Sequence, residues 1–336
     1  MANVAVFFGG RSEEHEVSCV SSVAVVEALR AKGHQVIAVG IGRDGAWHLA
    51  DASARPLAAD GPEVVLEIPT GVLAGGGRRH AFDVAFPVLH GPFGEDGTVQ
   101  GMFEMAGVPY VGSGVVGSAV AMDKDVAKRL FAEAGLAVSP WVTIRAGRFE
   151  EDPAGVIGEV RDRLGYPVFV KPAELGSSVG ISRADDDGSL KDGIRAALDH
   201  GDKVIAEQEV AGREIEVAVL EGPRASVPGE IVVEGWYTYD AKYQDEATRL
   251  LVPAPLSPPA AAEVRQLATR AFTALECRGL ARVDFFYEEG GRGFVINEIN
   301  TMPGFTPKSM FPMMWAATGL EYPDLCDELV NLALGR

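Results

Sequence analysis

Cysteine is scarce in this 336-residue chain: Cys19, Cys277 and Cys326 stand far apart and without CxxC spacing. That excludes a disulfide framework and a thiolate zinc site, so all three are read as reduced, packed thiols. Positive charge is also in deficit, with 30 Lys and Arg against 48 Asp and Glu and a formal charge of -18. A protein that wraps nucleic acid or coats an anionic membrane needs clustered positive charge, so neither partner is expected. Any anionic ligand has to be met by cations gathered locally. Long apolar runs are missing as well. None approaches the roughly 20 residues of a spanning helix, and the opening MANVAVFFGG lacks the basic flank of a signal peptide. The expectation is a soluble, cytoplasmic protein. A hydrophobic content of 47% excludes a disordered chain and, at this length, suggests two or three domains.

What the chain does have is punctuation. Forty glycines and twenty prolines separate short apolar runs that alternate with helical stretches, the pattern of an α/β protein. VAVFF, then a helix ending at Gly33, then HQVIAVGI form a βαβ unit, which predicts a doubly wound parallel layer at the N-terminus. Asp51 to Arg79 reads as loop and edge structure, a tolerated surface insertion. FDVAFPVLHG is a third strand and VQGMFEMAG a short helix. MDKDVAKRLFAEAG is an amphipathic helix with Val126, Leu130 and Phe131 on one side and a stop at Gly135. The texture then becomes strand-rich (YPVFVKP, GISRA, VIAEQEV, EIEVAVLEG, SVPGEIVV), which suggests a second, α+β unit. After the helix PPAAAEVRQLATRAFTALE, the runs LARVDFFYEE and GFVINEIN bracket the turn EEGGRG as a hairpin.

Gly112, Gly114 and Gly117 spell GxGxxG, the first half of a dinucleotide fingerprint. The acid that should follow about twenty residues on is absent from the end of the next strand, because Glu133 sits inside the helix. A tight strand-to-helix turn is the reading adopted. VFVKPAELGSSVGIS is more informative, with Lys171 at a strand end and a Gly/Ser loop from Leu175 to Gly180. A strand-anchored cation beside free backbone N–H groups and hydroxyls can close over a polyphosphate. The plain alternative is a lysine followed by an ordinary turn.

A set of oxygen ligands keeps that lysine company. Glu298 and Asn300 are two apart in FVINEIN, and Asp284 in ARVDFF lies on the neighbouring strand of the hairpin. Without histidine or thiolate, the set favours Mg²⁺ or Mn²⁺ over zinc. The alternative is a solvated outer face with salt bridges. In either case Val283, Phe285, Ile296 and Ile299 are expected on the core face. Beyond this strand, Pro303 and Gly304 form a turn whose N–H can approach a ligand closely, and with Arg282 it could stabilise an oxyanion or a transferring phosphoryl group.

With these residues in view, the sequence resembles the ATP-grasp ligases and, within them, the D-alanine–D-alanine ligase family. GGRSEEHEVS, HGPFGEDGTVQGMFE, PYVGSG, MDKDVAKRL, KPAELGSSVG, YDAKY, ARVDFF and NEINTMPGFTPKSM carry the match in order along nearly the whole chain. The fold it implies is multidomain, α/β and α+β: an N-terminal substrate-binding domain over 1–112, a central ATP-grasp subdomain over 113–207, and a C-terminal subdomain over 208–336 with the mobile loop and metal site. The resemblance implies that Lys124 and Lys171 contact the ATP phosphates, with Ser178 in the phosphate loop and Lys242 in the mobile loop also on the nucleotide. Glu207 and the backbone near Val210 would hold adenine, and Glu214 the ribose. Many relatives carry lysine where Gln208 stands, so adenine binding by backbone is the part expected to persist. Asp284, Glu298 and Asn300 would hold two magnesium ions.

Glu14 is implied to pair with the ammonium group of the first D-alanine; by itself it would be read as a capping or surface carboxylate. Glu14, Ser177 and Tyr243 match a trio that ties three segments together on closure. Ser309 and the Met310 backbone would bind the second substrate's carboxylate. His90 would sit near the first carboxylate, or else be structural. The implied activity joins two D-alanines through a D-alanyl phosphate for peptidoglycan precursors, in a homodimer. Lys242 and Tyr243 favour D-alanine as acceptor, with D-serine or D-lactate as the alternative. Two other readings, a catalytically silent nucleotide-binding relative and an ATP-grasp enzyme using another acid, fit Arg282, the metal set, Glu14 and the Ser309 segment less well.

Overall fold

The computed structural model describes residues 1–176, 179–232 and 249–335, so Ser177, Ser178, Lys242 and Tyr243 lie outside the described residues. The chain opens with β1 (Asn3–Gly9), α1 (His15–Ala31) and β2 (Gln35–Ile41), and β1 pairs in parallel with both β2 and β7 (Val84–Pro87). Val4 to Phe8 are completely buried, because the strand is covered on both faces. Val4, Val6 and Phe8 face Val25, Val26 and Leu29 of α1, while Ala5 and Phe7 face Phe103 of α2 (Thr98–Ala106).

The segment expected to be loop and edge is better ordered than that. After β3 (Trp47–Ala50), which lies antiparallel on β2, come β4 (Val64–Glu67), β5 (Val72–Gly75) and β6 (Arg78–His80) as a three-stranded antiparallel sheet. Val64 and Leu73 point inward to the Phe7 core, and Leu57 is buried as well. Single apolar residues among Gly, Ala and Pro suffice to dock the segment, so it is not a loose surface insertion.

The Gly112–Gly117 segment is a turn into α3 (Val115–Met122). Gly112 has φ +108°, Gly114 caps the helix, and a Cβ on Gly117 would lie 2.8 Å from the Glu276 carbonyl oxygen. Here glycine permits a helix to press on backbone. Then comes α4 (Lys124–Glu133), capped by Asp123, which accepts from the Asp125 and Val126 N–H groups. Its buried face differs from expectation: Asp125, Ala127, Lys128 and Phe131 are inside, whereas Val126 and Leu130 are only half-buried.

The middle of the chain forms an antiparallel sheet in the order β10 (Ser182–Ala184), β9 (Val168–Pro172), β11 (Lys203–Gln208), β8 (Trp141–Arg145). The short α5 (Ala146–Glu151), α6 (Pro153–Leu164) and α7 (Asp187–Leu198) accompany it, and Val156, Val160, Leu190 and Ile194 pack on Val142, Val170 and Val204.

The last sheet runs β15 (Arg249–Leu251), β14 (Gly229–Val232), β12 (Arg213–Leu220), β16 (Leu280–Glu288), β17 (Gly293–Asn300), with β13 (Arg224–Ala225) beside β12. One face, including Ile215, Val217, Val283 and Phe285, packs on α8 (Pro258–Ala274) and on Ala127 and Phe131 of α4. The other face begins apolar. Ala218, Leu220 and Leu280 share a core with Met302, Phe305, α9 (Met310–Thr318), α10 (Tyr322–Leu334) and the α1 side of β1. The first and last sheets are thereby joined through common packing.

Candidate active site at the polar end of the last sheet

On the face that begins with Leu280, the next inward positions along β16 are Arg282 and Asp284, and the apolar core gives out there. Arg282 is 7% exposed, and its guanidinium donates to both oxygens of Asp284 at 2.8 and 2.7 Å. Its Nε also lies 3.2 Å from the buried Glu216 carboxylate, on the adjoining strand β12. Asn300, paired with Arg282 in register, donates its amide to Asp284 at 3.0 Å, and Glu298 stands opposite Asp284.

This convergence depends on an irregularity in β17. In a regular strand Ile296, Glu298 and Asn300 would share one face. The pairing slips instead: Asp284 faces Glu298 but Phe285 faces Ile296, so Asn297 is the extra residue of a bulge. Ile296 and Ile299 can then both be buried while Glu298 and Asn300 turn to the polar side. Val283, Phe285, Ile296 and Ile299 occupy the core face as expected.

A second charged group adjoins it. Lys171 on β9 is 9% exposed and donates to Glu207 Oε2 at 3.0 Å. The other oxygen, Oε1, lies 3.4 Å from Lys128 Nζ, which donates to Ser139 Oγ at 2.9 Å. Burial alone would push the Glu207 carboxyl up, but the Lys128 and Lys171 charges outweigh it and hold the group at about 2. Burial lowers the Lys128 ammonium, and Glu207 opposes that effect. Lys124, at the start of α4, donates Nζ to the Leu175 carbonyl, and its N–H donates to Ala173 O at 2.9 Å, so the helix is tied to the segment after β9. Desolvation lowers Lys124 too, and the charge of Glu298 works against that shift.

The N-terminal domain closes the ring. Glu14 precedes α1 but makes no capping bond with its side chain. Its Oε2 lies 3.0 Å from where a Gly91 Cβ would stand and 3.8 Å from that of Gly176, between the HGPFGEDG loop and the serine loop. His90 is 4% exposed and donates Nδ1–H to the Met302 carbonyl at 2.9 Å, which fixes its tautomer. Glu95 accepts the Met302 N–H at 2.9 Å and the Gly91 N–H at 2.8 Å. Met302 is thus gripped at both of its backbone groups just before the Pro303–Gly304 turn. A Cβ on Gly304 would meet Ser309 Oγ at 3.3 Å, so turn and serine are neighbours. Ser309 precedes α9, and its hydroxyl accepts from Thr306 N–H at 3.1 Å and leaves the helix uncapped. Met310 points its thioether into the core against Gly229, which leaves only its backbone for a ligand.

Val210 and Glu214 are half-buried at the β11–β12 connection, with Glu214 on the same face of β12 as Glu216. The Gln208 amide is turned away, donating to Leu164 O at 3.2 Å. Residues 3–113 match the family model described as "D-ala D-ala ligase N-terminus", and residues 130–331 match "D-ala D-ala ligase C-terminus". The chain belongs to the D-alanine–D-alanine ligase family.

Within this family, proteins named D-alanine–D-alanine ligase from Arthrobacter sp. (strain FB24) and Mycobacterium sp. (strain KMS) are each 48% identical to it. The matches cover 99% of this chain and 94% and 96% of theirs. Among solved structures, the VanG D-Ala:D-Ser ligase of Enterococcus faecalis superposes with a TM-score of 0.87 at 35% identity, covering 98% of this chain and 99% of that one. The D-alanine–D-alanine ligase of Coxiella burnetii gives 0.87 at 33% identity over 100% of this chain and 96% of its own. The fold is therefore ATP-grasp. Two ligases named for different acceptors match the backbone equally well, so overall shape does not select the second substrate. Sequence reasoning missed three residues of this site: Lys128, Glu95 and Glu216.

Proposed function

We propose that this protein joins two D-alanines into D-alanyl-D-alanine with ATP, for peptidoglycan precursor synthesis. The observation that carries the reading is the convergence of Lys124 and Lys171 with the Arg282, Asp284, Glu298, Asn300 face against Glu14 and the gripped Met302 turn. The carboxylate of the first D-alanine attacks the γ-phosphorus of ATP, giving an acylphosphate and ADP. The amine of the second then attacks the acyl carbon, and phosphate leaves. A carboxylate is a poor electrophile with a poor leaving group, and phosphorylation removes both obstacles.

Each residue has a task in that sequence. Lys124 and Lys171 offset the charge of the triphosphate as an anionic carboxylate approaches it. Glu14 pairs with the ammonium of the first D-alanine, and His90 stands by its carboxylate. Arg282 and the Gly304 N–H stabilise charge developing on the phosphoryl group and the oxyanion, where loss of one donor typically costs about 3 to 4 kcal/mol. Ser309 and the Met310 N–H hold the second carboxylate at the start of α9, whose dipole favours an anion. Adenine lies by Glu207 and Val210, and the ribose by Glu214. Ser177 and Tyr243 would close the site with Glu14, and Ser178 and Lys242 would add nucleotide contacts.

The donor set fits magnesium or manganese: Asp284, Glu298 and Asn300 offer only hard oxygens, already gathered by hydrogen bonding and register. Two bound ions would supply charge neutralisation of the triphosphate. A cytoplasmic homodimer accords with the family, and among the described residues no helix is long and apolar enough to cross a membrane.

The test is phosphate release from ATP and Mg²⁺ with D-alanine, L-alanine, D-serine or D-lactate, with products identified by mass. D-Alanyl-D-alanine is expected as the main product. Absence of ATP turnover with D-alanine would sink the reading. The likeness to VanG favours one second reading, D-serine as acceptor, which a mixed D-alanyl-D-serine product in excess over the dipeptide of D-alanine would establish.

A further inference from the structure

Lys128 is 1% exposed, so it cannot touch a ligand in the cleft. It sits one helical turn beyond Lys124 on the same side of α4, about 6 Å along the axis. Its ammonium meets Ser139 Oγ, the face of the Trp141 ring at 5.6 Å and Glu207 Oε1. Glu207 is itself 4% exposed and gives its other oxygen to Lys171. The three groups form a row, cation, carboxylate, cation, and only the last of them sits at the mouth of the phosphate loop.

The charge count gives the row a use. With Lys171 alone, Glu207 would close a neutral pair, and a triphosphate would have to compete with a buried carboxylate for the ammonium. With Lys128 behind it, the row carries one net positive charge, and the carboxylate is satisfied from the rear. Packing does not require such a lysine, because a buried ion pair is often matched or bettered in stability by apolar residues of similar volume. The interior positions of α4 that face the last sheet, Ala127 and Phe131, are apolar, so the buried charge of this helix is placed selectively toward β8 and β11.

We propose that Lys128 is a positioning residue for the nucleotide: by neutralising Glu207 from behind, it leaves the Lys171 charge available to the phosphates of ATP. The inference rests on the ATP-using reading of the site and assigns a residue to which that reading gives no part. It also explains why α4 carries lysines at both Lys124 and Lys128. One engages the phosphate loop directly, and the other acts on Lys171 through Glu207.

The experiment compares Lys128→Met, Glu207→Gln and the double variant with the wild-type chain. AMP-PNP affinity is read by calorimetry, and KM for ATP and for D-alanine by steady-state kinetics. Lys128→Met should weaken AMP-PNP binding and raise KM for ATP by about tenfold or more, with kcat and the D-alanine KM within about threefold. In the Glu207→Gln background the same substitution should change nucleotide affinity by less than about twofold, because no carboxylate remains to be neutralised. An equal effect in both backgrounds, or parallel losses in kcat and D-alanine KM, would overturn the proposal in favour of a packing role. Should the methionine variant fail to fold, Lys128→Gln keeps an N–H donor without the charge and is subject to the same criteria. The calorimetric arm needs no turnover, so it separates failure of this idea from failure of the D-alanine reading.

Discussion

Glu207 shows how much one side chain can be asked to do. Two lysines hold its carboxyl at about 2, below its ordinary 4.5, so the group favours the folded state above pH 4.5 and loses that contribution as pH falls toward 2. The contribution is on the order of 3 kcal/mol. Urea unfolding at stepped pH should therefore show stability falling between pH 4.5 and 2, with a shallower fall in Glu207→Gln. The same slope in both would remove Glu207 as the cause. Lys171, Asp284, Glu298 and Asn300 were legible in the sequence because a polar residue in an apolar strand stands out. Lys128 was not, since a lysine on an amphipathic helix reads as surface. The signal was its place with Lys124, Ala127 and Phe131, a helical stripe in which two positions are charged. Glu95 could not have been found from local pattern, because its partner Met302 is 207 residues away.

Among the elements, β17 carries the most consequence per residue. The hairpin and its turn could be read from alternation, but Ile296 and Ile299 are three apart and no regular strand turns both to the same face. The bulge at Asn297 resolves that conflict, and it is a property of backbone length. Asn297→Ala should therefore leave Mg²⁺-dependent ATP turnover within about threefold of wild type, since the extra residue remains. Deleting Asn297 should leave a regular strand in which Ile296 and Ile299 still face the core and Glu298 and Asn300 the polar side, so turnover should persist within about tenfold and the unfolding midpoint in urea should change little. Complete loss of activity after deletion would contradict the register. At the same scale, β4 to β6 were hidden because their inward positions are single residues among glycine and alanine, too sparse to show a period.

For the whole molecule, the decisive joint is between the N-terminal layer and the turn after β17. His90 and Glu95 hold the two backbone groups of Met302, so the substrate side and the phosphoryl side are set relative to each other through one residue. Glu95→Ala would leave the Met302 and Gly91 N–H groups without their acceptor. A loss of about 10- to 100-fold in kcat/KM for D-alanine is expected, with AMP-PNP affinity within about twofold. Glu95→Gln, which keeps one acceptor oxygen of the two and turns an NH2 donor toward the other N–H, should fall between alanine and wild type. If alanine and glutamine behaved alike, the grip on Met302 would have no part in catalysis. The surplus acid belongs to this scale too: of 48 Asp and Glu, only a few enter the site, and the cations that do are gathered locally.

The grip on Met302 also bears on how such a chain can be inherited. The two segments that match separate family models, 3–113 and 130–331, look like parts that recombination could trade between relatives. Yet the imidazole and carboxylate come from the first segment, and the Met302 carbonyl and N–H they hold come from the second. A crossover between them keeps the cores internal to each segment but splits the one shared by β1, α1, Phe305 and α10, and it yields a poor ligase unless the two parents place that core and these backbone groups alike. Selection on these halves is therefore joint, and it passes through two backbone groups, of which proline at position 302 would remove the N–H and no substitution would remove the carbonyl.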